Sequence, residues 1–273
     1  MIASLAAEAV DRAVRSTARY DAGVELRELG RNWETLARHD AFWSILTDPS
    51  KRRGGWGTDE FFQVGVREID ALLARCRALG RDPKGVALDF GCGVGRLTQA
   101  LAPHFELVHG VDISPTMIEK ARQLNRHGDR CRYIVNQTDK LGTMGDATVD
   151  LIYTNIVLQH IERHFMESYL REFLRILKPG ALLVFQVPSR IRAPESASCD
   201  PRNAVKRLLV RVGVAGLLYR MRLLNTPAVM EMNCFERSEL TEFLASHGGD
   251  VLATDPSDPG SPIESYVYFV TRA

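Results

Sequence analysis

The sequence predicts an α/β fold on a mainly parallel sheet, and three observations carry that prediction. From Lys84 onward, short β-rich runs alternate with helical stretches. The glycine-rich turn GCGVG, Gly91 to Gly95, follows the first of those runs and leads into a helical stretch. After Pro188 the alternation stops, and it resumes before two closing strand-like runs. Strands separated by helices imply right-handed βαβ crossovers and therefore parallel neighbours.

Each element follows from its own pattern. Residues 1–80 read as helical, with apolar residues at helical spacing in EFFQVGVREIDALLARCRALG and a break at KRRGGWG. The opening MIASLAAEAVDRAVRSTARY is interrupted by Glu8, Asp11, Arg12 and Arg15, which suits an amphipathic helix and not a secretory signal. Residues 1–83 are thus a helical front extension, and 84–273 the core. In the core, VALDF, LVHGVD, RYIVN, VDLIYTN and ALLVFQVP read as strands. Helices are expected over Leu97–Phe105, Pro115–Asn125 and near Arg163–Leu177. Residues 189–230 form an insertion rich in Arg and Leu. A helix at Ser238–His247 then leads to DVLATD, the turn DPSDPGSP and SYVYFVTR, a hairpin that adds an antiparallel strand at the end of the sheet.

A net charge of +1 over 273 residues gives no whole-molecule footprint for nucleic acid, so no nucleic-acid partner is expected. Five scattered cysteines without a CxxC pair suggest neither a disulfide framework nor a zinc site, which suits a reducing cytoplasm. No run approaches the roughly 18 apolar residues of a membrane span. A soluble, cytoplasmic protein is expected.

The glycine loop narrows the ligand. A dinucleotide fingerprint places a third glycine where this chain has Arg96, and no Gly-Lys-Ser/Thr follows as in a phosphate-binding P-loop. Asp89 precedes the loop and would set a carboxylate beside the ligand. Asp112, at the end of the next strand, suits the two hydroxyls of a ribose. A ligand carrying a ribose and a positive ammonium or sulfonium fits both.

On four motifs in order, LDFGCGVG at 88–95, VDISPTMI at 111–118, VDLIYTNIVLQHI at 149–161 and LKPGALLVF at 177–185, the chain resembles the class I S-adenosylmethionine-dependent methyltransferases. The resemblance runs from Val86 to about Pro188. It implies a Rossmann-like, mainly parallel seven-stranded sheet with S-adenosyl-L-methionine as cofactor. Carried over, Gly91 and Gly93 line the methionine part, with Asp89, Gly95 and Arg96 in the same loop. Asp112 takes the ribose, and Ile113 and Met117 sandwich the adenine. Asn136 or Gln137 meets the adenine amine, and Asn155 follows the fourth strand beside the cofactor. Family members fold N-terminal helices over the cofactor, so Trp56 and Phe61 are candidate lid aromatics, whereas Trp33 and Trp43 read as anchors.

His160 lies just beyond the fourth strand, on the side where ligands of open α/β sheets bind, and an imidazole serves as a base near neutral pH. It reads either as that base or as a structural histidine. His164 completes HIERH, a metal-ligand spacing without a third ligand, so no metal is expected. The insertion carries Arg190, Arg192, Arg202, Lys206, Arg207, Arg211, Arg220 and Arg222 against Glu195 and Asp200. It reads as a substrate cap, a dimer contact or a membrane-surface helix. The leading expectation is O-methylation of a small molecule, by resemblance a saccharide or polysaccharide precursor, with His160 as base. N- or O-methylation of a natural product or lipid-like acceptor is the alternative, and a non-catalytic binding subunit the alternative of another class.

Overall fold

The structure is a computed structural model that describes residues 22–191, 201–221, 223–257 and 263–273. The amphipathic helix expected at the N-terminus, Arg192, Glu195, Cys199, Asp200, Arg222 and most of the closing turn lie outside the described residues, as do the side chains of Arg202 and Arg207.

Two helices come first: α1 (Ala22–Ile45) and α2 (Thr58–Ala78). The alternating core follows as β1 (Val86–Phe90), α3 (Arg96–Leu101), β2 (Leu107–Asp112), α4 (Pro115–Leu124), β3 (Cys131–Val135) and β4 (Val149–Thr154). It continues with α5 (Arg163–Ile176), β5 (Leu177–Ile191), α6 (Pro201–Arg211), α7 (Ala215–Arg220), α8 (Arg237–Ser246), β6 (Gly249–Pro256) and β7 (Ile263–Arg272). The seven strands lie in the order β3-β2-β1-β4-β5-β7-β6. Pairs β1–β2, β1–β4, β2–β3 and β4–β5 are parallel, and β7 is antiparallel to both β5 and β6. The antiparallel strand is therefore interior, and β6 forms the edge. Only six residues separate β6 from β7, too few for a parallel crossover, so the two lie antiparallel, and β7 takes the place beside β5, the more apolar of the two strands.

Both faces of the sheet are covered, which is why its strands carry near-continuous apolar runs. On one face Leu88, Phe90 and Val111 pack against Tyr169 and Phe173 of α5 and Leu240 of α8. On the other, Ala87, Val108 and Leu151 pack against Ile69, Leu72 and Cys76 of α2 and Leu101 of α3. β1 thus sends alternate residues to opposite cores, as a pleated strand must. The order of the strands reverses between β1 and β4, and the crevice at that switch point is where the loops after β1, β2 and β4 converge. Among the described residues, no helix is long and apolar enough to cross a membrane.

Candidate active site

The loop after β1 folds back over the end of β2: the Gly91 and Cys92 amides both donate to the Val111 carbonyl, at 2.8 and 3.0 Å. That path needs left-handed backbone at Gly91 (φ 75°) and Gly93 (φ 53°). It also needs space, since a Cβ on Gly93 would lie 2.5 Å from Ile45 Cδ1. The loop is shaped for close approach by something packed against its backbone.

At the end of β2, Asp112 Oδ2 accepts the Gly93 amide at 2.9 Å and Oδ1 accepts the Ser114 amide at 2.8 Å. Both oxygens keep a second lone pair, so the carboxylate is oriented yet still able to accept a pair of hydroxyls. Burial pushes its pKa up to about 6. Ser114 caps α4 by accepting the Met117 amide, and Pro115 suits the first helical turn. This cap leaves Ile113 and Met117 on the wall of a cleft of about 300 Å3, together with Gly91, Gly93, Arg96 and Asp112. Asn136, Asn155 and His160 line the same cleft.

Four of the residues expected there lie elsewhere. Asp89 is 1% exposed and accepts the Thr98 hydroxyl at 2.6 Å, on the α3 side of the sheet. The pleat explains it: Phe90 faces the cleft, so Asp89 must face away. Burial raises its pKa to about 7. Gly95 is left-handed at the start of α3 and packs toward the Tyr133 ring. Of the pair Asn136 and Gln137, only Asn136 lines the cleft; Gln137 is exposed and donates to the Ile113 carbonyl at 3.4 Å. Trp56 anchors its own loop, with its indole donating to the Leu46 carbonyl at 3.1 Å and its ring edge-on to the buried Phe61. Its place is taken by Trp33, expected only as an anchor, which lines the cleft and meets the His160 ring edge-on at 5.4 Å. Trp43 is an anchor, donating to the Asp48 carbonyl.

His160 is 8% exposed and ends a chain of hydrogen bonds whose direction is fixed. The Ile156 amide donates to Gln186 Oε1, so Gln186 Nε2 must donate onward to Gln159 Oε1 at 3.2 Å and to Ser265 Oγ. Gln159 Nε2 then faces His160 Nε2 at 3.2 Å, and His160 Nδ1 meets the Glu231 carbonyl at 2.5 Å. A carbonyl only accepts, so the proton is on Nδ1 and the lone pair on Nε2. Burial holds the pKa below its usual value, which keeps the ring neutral.

Two contacts that the sequence pattern did not reveal bring the front helices to this site. Glu34 of α1 accepts Ser114 Oγ at 2.6 Å and Thr116 Oγ1 at 2.5 Å, pinning α1 to the start of α4. Glu68 of α2 accepts Arg96 Nη1 at 2.7 Å, Asn155 Nδ2 at 2.8 Å and the Tyr153 hydroxyl at 3.0 Å. Neither acid belongs to a motif; each sits on the polar side of an amphipathic helix, where solvent is the default reading. Met230 and Met232, after α7, complete the wall. His164 is half-exposed, and among the described residues no three His, Cys, Asp or Glu side chains converge on a metal site.

Residues 88–185 match the family described as a methyltransferase domain. The chain is 33% identical over 144 residues to trans-aconitate 2-methyltransferase of Enterobacter sp. (strain 638), covering 51% of this chain and 53% of that one. It is 34% identical over 129 residues to demethylmenaquinone methyltransferase of Tropheryma whipplei (strain Twist), covering 44% and 50%. The chain thus spans about half the length of the curated relatives it matches. Its fold is similar to that of magnesium protoporphyrin IX methyltransferase from Synechocystis PCC 6803 with bound S-adenosylhomocysteine (TM-score 0.53, 19% identity, 88% of this chain and 100% of that one). An S-adenosylmethionine-dependent methyltransferase from Clostridium acetobutylicum ATCC 824 is also similar in fold (TM-score 0.56, 14% identity, 86% and 100%). Residues 88–185 thus match a methyltransferase domain, and the fold around them is similar to that of S-adenosylmethionine-dependent methyltransferases.

Proposed function

We propose that the chain is an O-methyltransferase acting on a small hydroxylated acceptor with an apolar body, with His160 as the base. The observation that carries this reading is the neutral imidazole on the cleft wall, its tautomer fixed between the Gln159 amide and the Glu231 carbonyl. When bound, S-adenosyl-L-methionine supplies a methyl group already activated on a sulfonium. The residues present fit it: Asp112 offers two lone pairs toward ribose hydroxyls, Ile113 and Met117 offer apolar faces, and the left-handed Gly91 and Gly93 bring backbone to the ligand.

The chain's own task is to align the acceptor and take its proton. His160 Nε2 does the latter: its bond from Gln159 is long at 3.2 Å and gives way to a hydroxyl donor, while the Nδ1–H···O bond to Glu231 steadies the imidazolium that forms. Trp33, Leu29 and Met230 line both the cleft and a smaller side pocket of about 80 Å3, and they exclude water from the acceptor. Glu28, Glu162 and Glu231 also line that side pocket. Among the described residues the only Lys or Arg on either lining is Arg96, and Glu68 engages it. This lining supports a neutral acceptor over a polycarboxylate such as the trans-aconitate in one relative's name, and an apolar body over a saccharide.

The test is incubation with methyl-labelled S-adenosyl-L-methionine and a solvent-fractionated cell extract, with His160→Gln in parallel. Label is expected in an apolar, hydroxyl-bearing fraction, with kcat lowered about 100-fold or more in the variant. Label confined to amines, or a variant as fast as the parent, overturns the reading.

A further inference from the structure

Of the eleven large hydrophobic side chains exposed among the described residues, seven fall between Val205 and Leu223, on α6, α7 and the turns after them. On α6 and just past its end, Val205, Leu208 and Val212 recur at helical spacing and are each 59% exposed. On α7 and just beyond it, Leu217 and Met221 stand one turn apart and are 51% and 59% exposed. The opposite side of this pair of helices is held to the body of the molecule. Ala215 and Tyr219 are buried, the Tyr219 hydroxyl donates to Asp40 of α1 at 2.8 Å, and Lys206 donates to Thr226 at 2.8 Å. The exposed apolar stripe is therefore a fixed outward face.

Charge decides what that face suits. Residues 201–224 carry six Lys and Arg and no Asp or Glu, in a chain whose net charge is +1. Arg211 and Arg220 are exposed beside the apolar stripe. A second copy seated on this face would set cation against cation, which costs association. A surface that is anionic and apolar just beneath complements both features.

We propose that the α6–α7 face docks on an anionic lipid bilayer, with Val205, Leu208, Val212, Leu217 and Met221 entering the headgroup boundary and the flanking arginines meeting lipid phosphates. The docked segment leads directly to Met230 and Met232 on the cleft wall, so the face that meets the bilayer and the acceptor's entrance are parts of one stretch of chain. That an amphipathic acceptor reaches the cleft from the bilayer rests on the methyltransferase reading; the docking itself does not.

The test uses the full chain and co-sedimentation with vesicles of phosphatidylcholine alone or mixed with phosphatidylglycerol. Binding is expected at least about tenfold tighter to the anionic vesicles, falling as salt is raised. Leu208→Ser with Val212→Ser, and separately Arg211→Glu, should each weaken it about tenfold, because each removes buried apolar area or a surface cation. These side chains do not line the cleft, so S-adenosylhomocysteine affinity should stay as in the parent, which controls for folding. No sedimentation with anionic vesicles, or sedimentation unchanged by the variants, overturns the proposal. So does a dimer in solution that the serine variants dissociate. Vesicle binding without methyl transfer would uphold the docking and remove only its link to the acceptor.

Discussion

Two carboxylates, two strand positions apart in the register of β1 and β2, show how orientation decides the role of a residue. Asp112 faces the cleft with two amides behind it, whereas Asp89 is turned into the opposite core. Ionising Asp89 costs the folded state. With a pKa raised from 3.8 to about 7, its contribution to stability is present in full below pH 4 and is lost as pH rises through 7. The loss at pH 8 is at most about 4 kcal/mol. Asp89→Asn keeps an acceptor for Thr98 and is neutral at every pH, so it should raise Tm at pH 8 and not at pH 3, as thermal unfolding followed by circular dichroism will show. An equal effect at both pH values would contradict the burial argument. For His160, whose pKa is lowered by burial, kcat should be flat above pH 6.5 and decline only below it. Gln159→Glu places a carboxylate against Nε2, favours the imidazolium, and should move that acid limb upward in a pH–rate profile; an unmoved limb would remove Gln159 as the positioning residue. The sequence disclosed Asp112 and His160 through their motifs. It could not disclose the facing of Asp89, because both faces of β1 are buried and no polar-apolar alternation marks one from the other.

At the scale of elements, the strands and helices of the core were readable because apolar runs alternate with helical spacing, with Gly95 and the capping Ser114 marking the starts of α3 and α4. What the periodicity of α1 and α2 does not contain is their docking. Glu34 and Glu68 each satisfy several donors on the core, yet in sequence they are ordinary acids on helical surfaces. Trp33 and Trp56 exchanged expected roles for a related reason: a flexible-looking Gly-rich loop suggested a mobile aromatic at 56, but its indole found the Leu46 carbonyl, while α1 carried Trp33 over the cleft. Glu34→Ala leaves the Ser114 and Thr116 hydroxyls without that partner and should cost about 1 to 3 kcal/mol. Limited proteolysis should then cut within α1 sooner than in the parent, with sheet signals in the spectrum unchanged. α1 as protease-resistant as before would show that apolar packing alone holds it. α1 also departs from helical geometry at Asp40, whose carboxylate accepts the Arg53 and Gly54 amides and the Tyr219 hydroxyl, tying the front extension to the insertion.

For the whole molecule, the family reading makes a thermodynamic demand. A ligand that binds only the folded chain stabilises it by mass action, about 2.7 kcal/mol at one hundred times its Kd. S-adenosylhomocysteine should therefore raise Tm in a concentration-dependent way, and Asp112→Ala should abolish the shift at the same concentrations. No shift at millimolar ligand in the parent chain would sink the cofactor assignment. The order of the strands carries a different consequence, one of timing. β7 lies between β5 and β6 although it follows both along the chain. During synthesis, β1 through β5 can assemble their parallel ladder in turn, whereas β6 emerges with no neighbour to pair with until β7 exists. The last long-range closure of the sheet is the arrival of β7 as a wedge that creates two ladders at once, and until then the β5 edge stands open to the ribosome's surroundings.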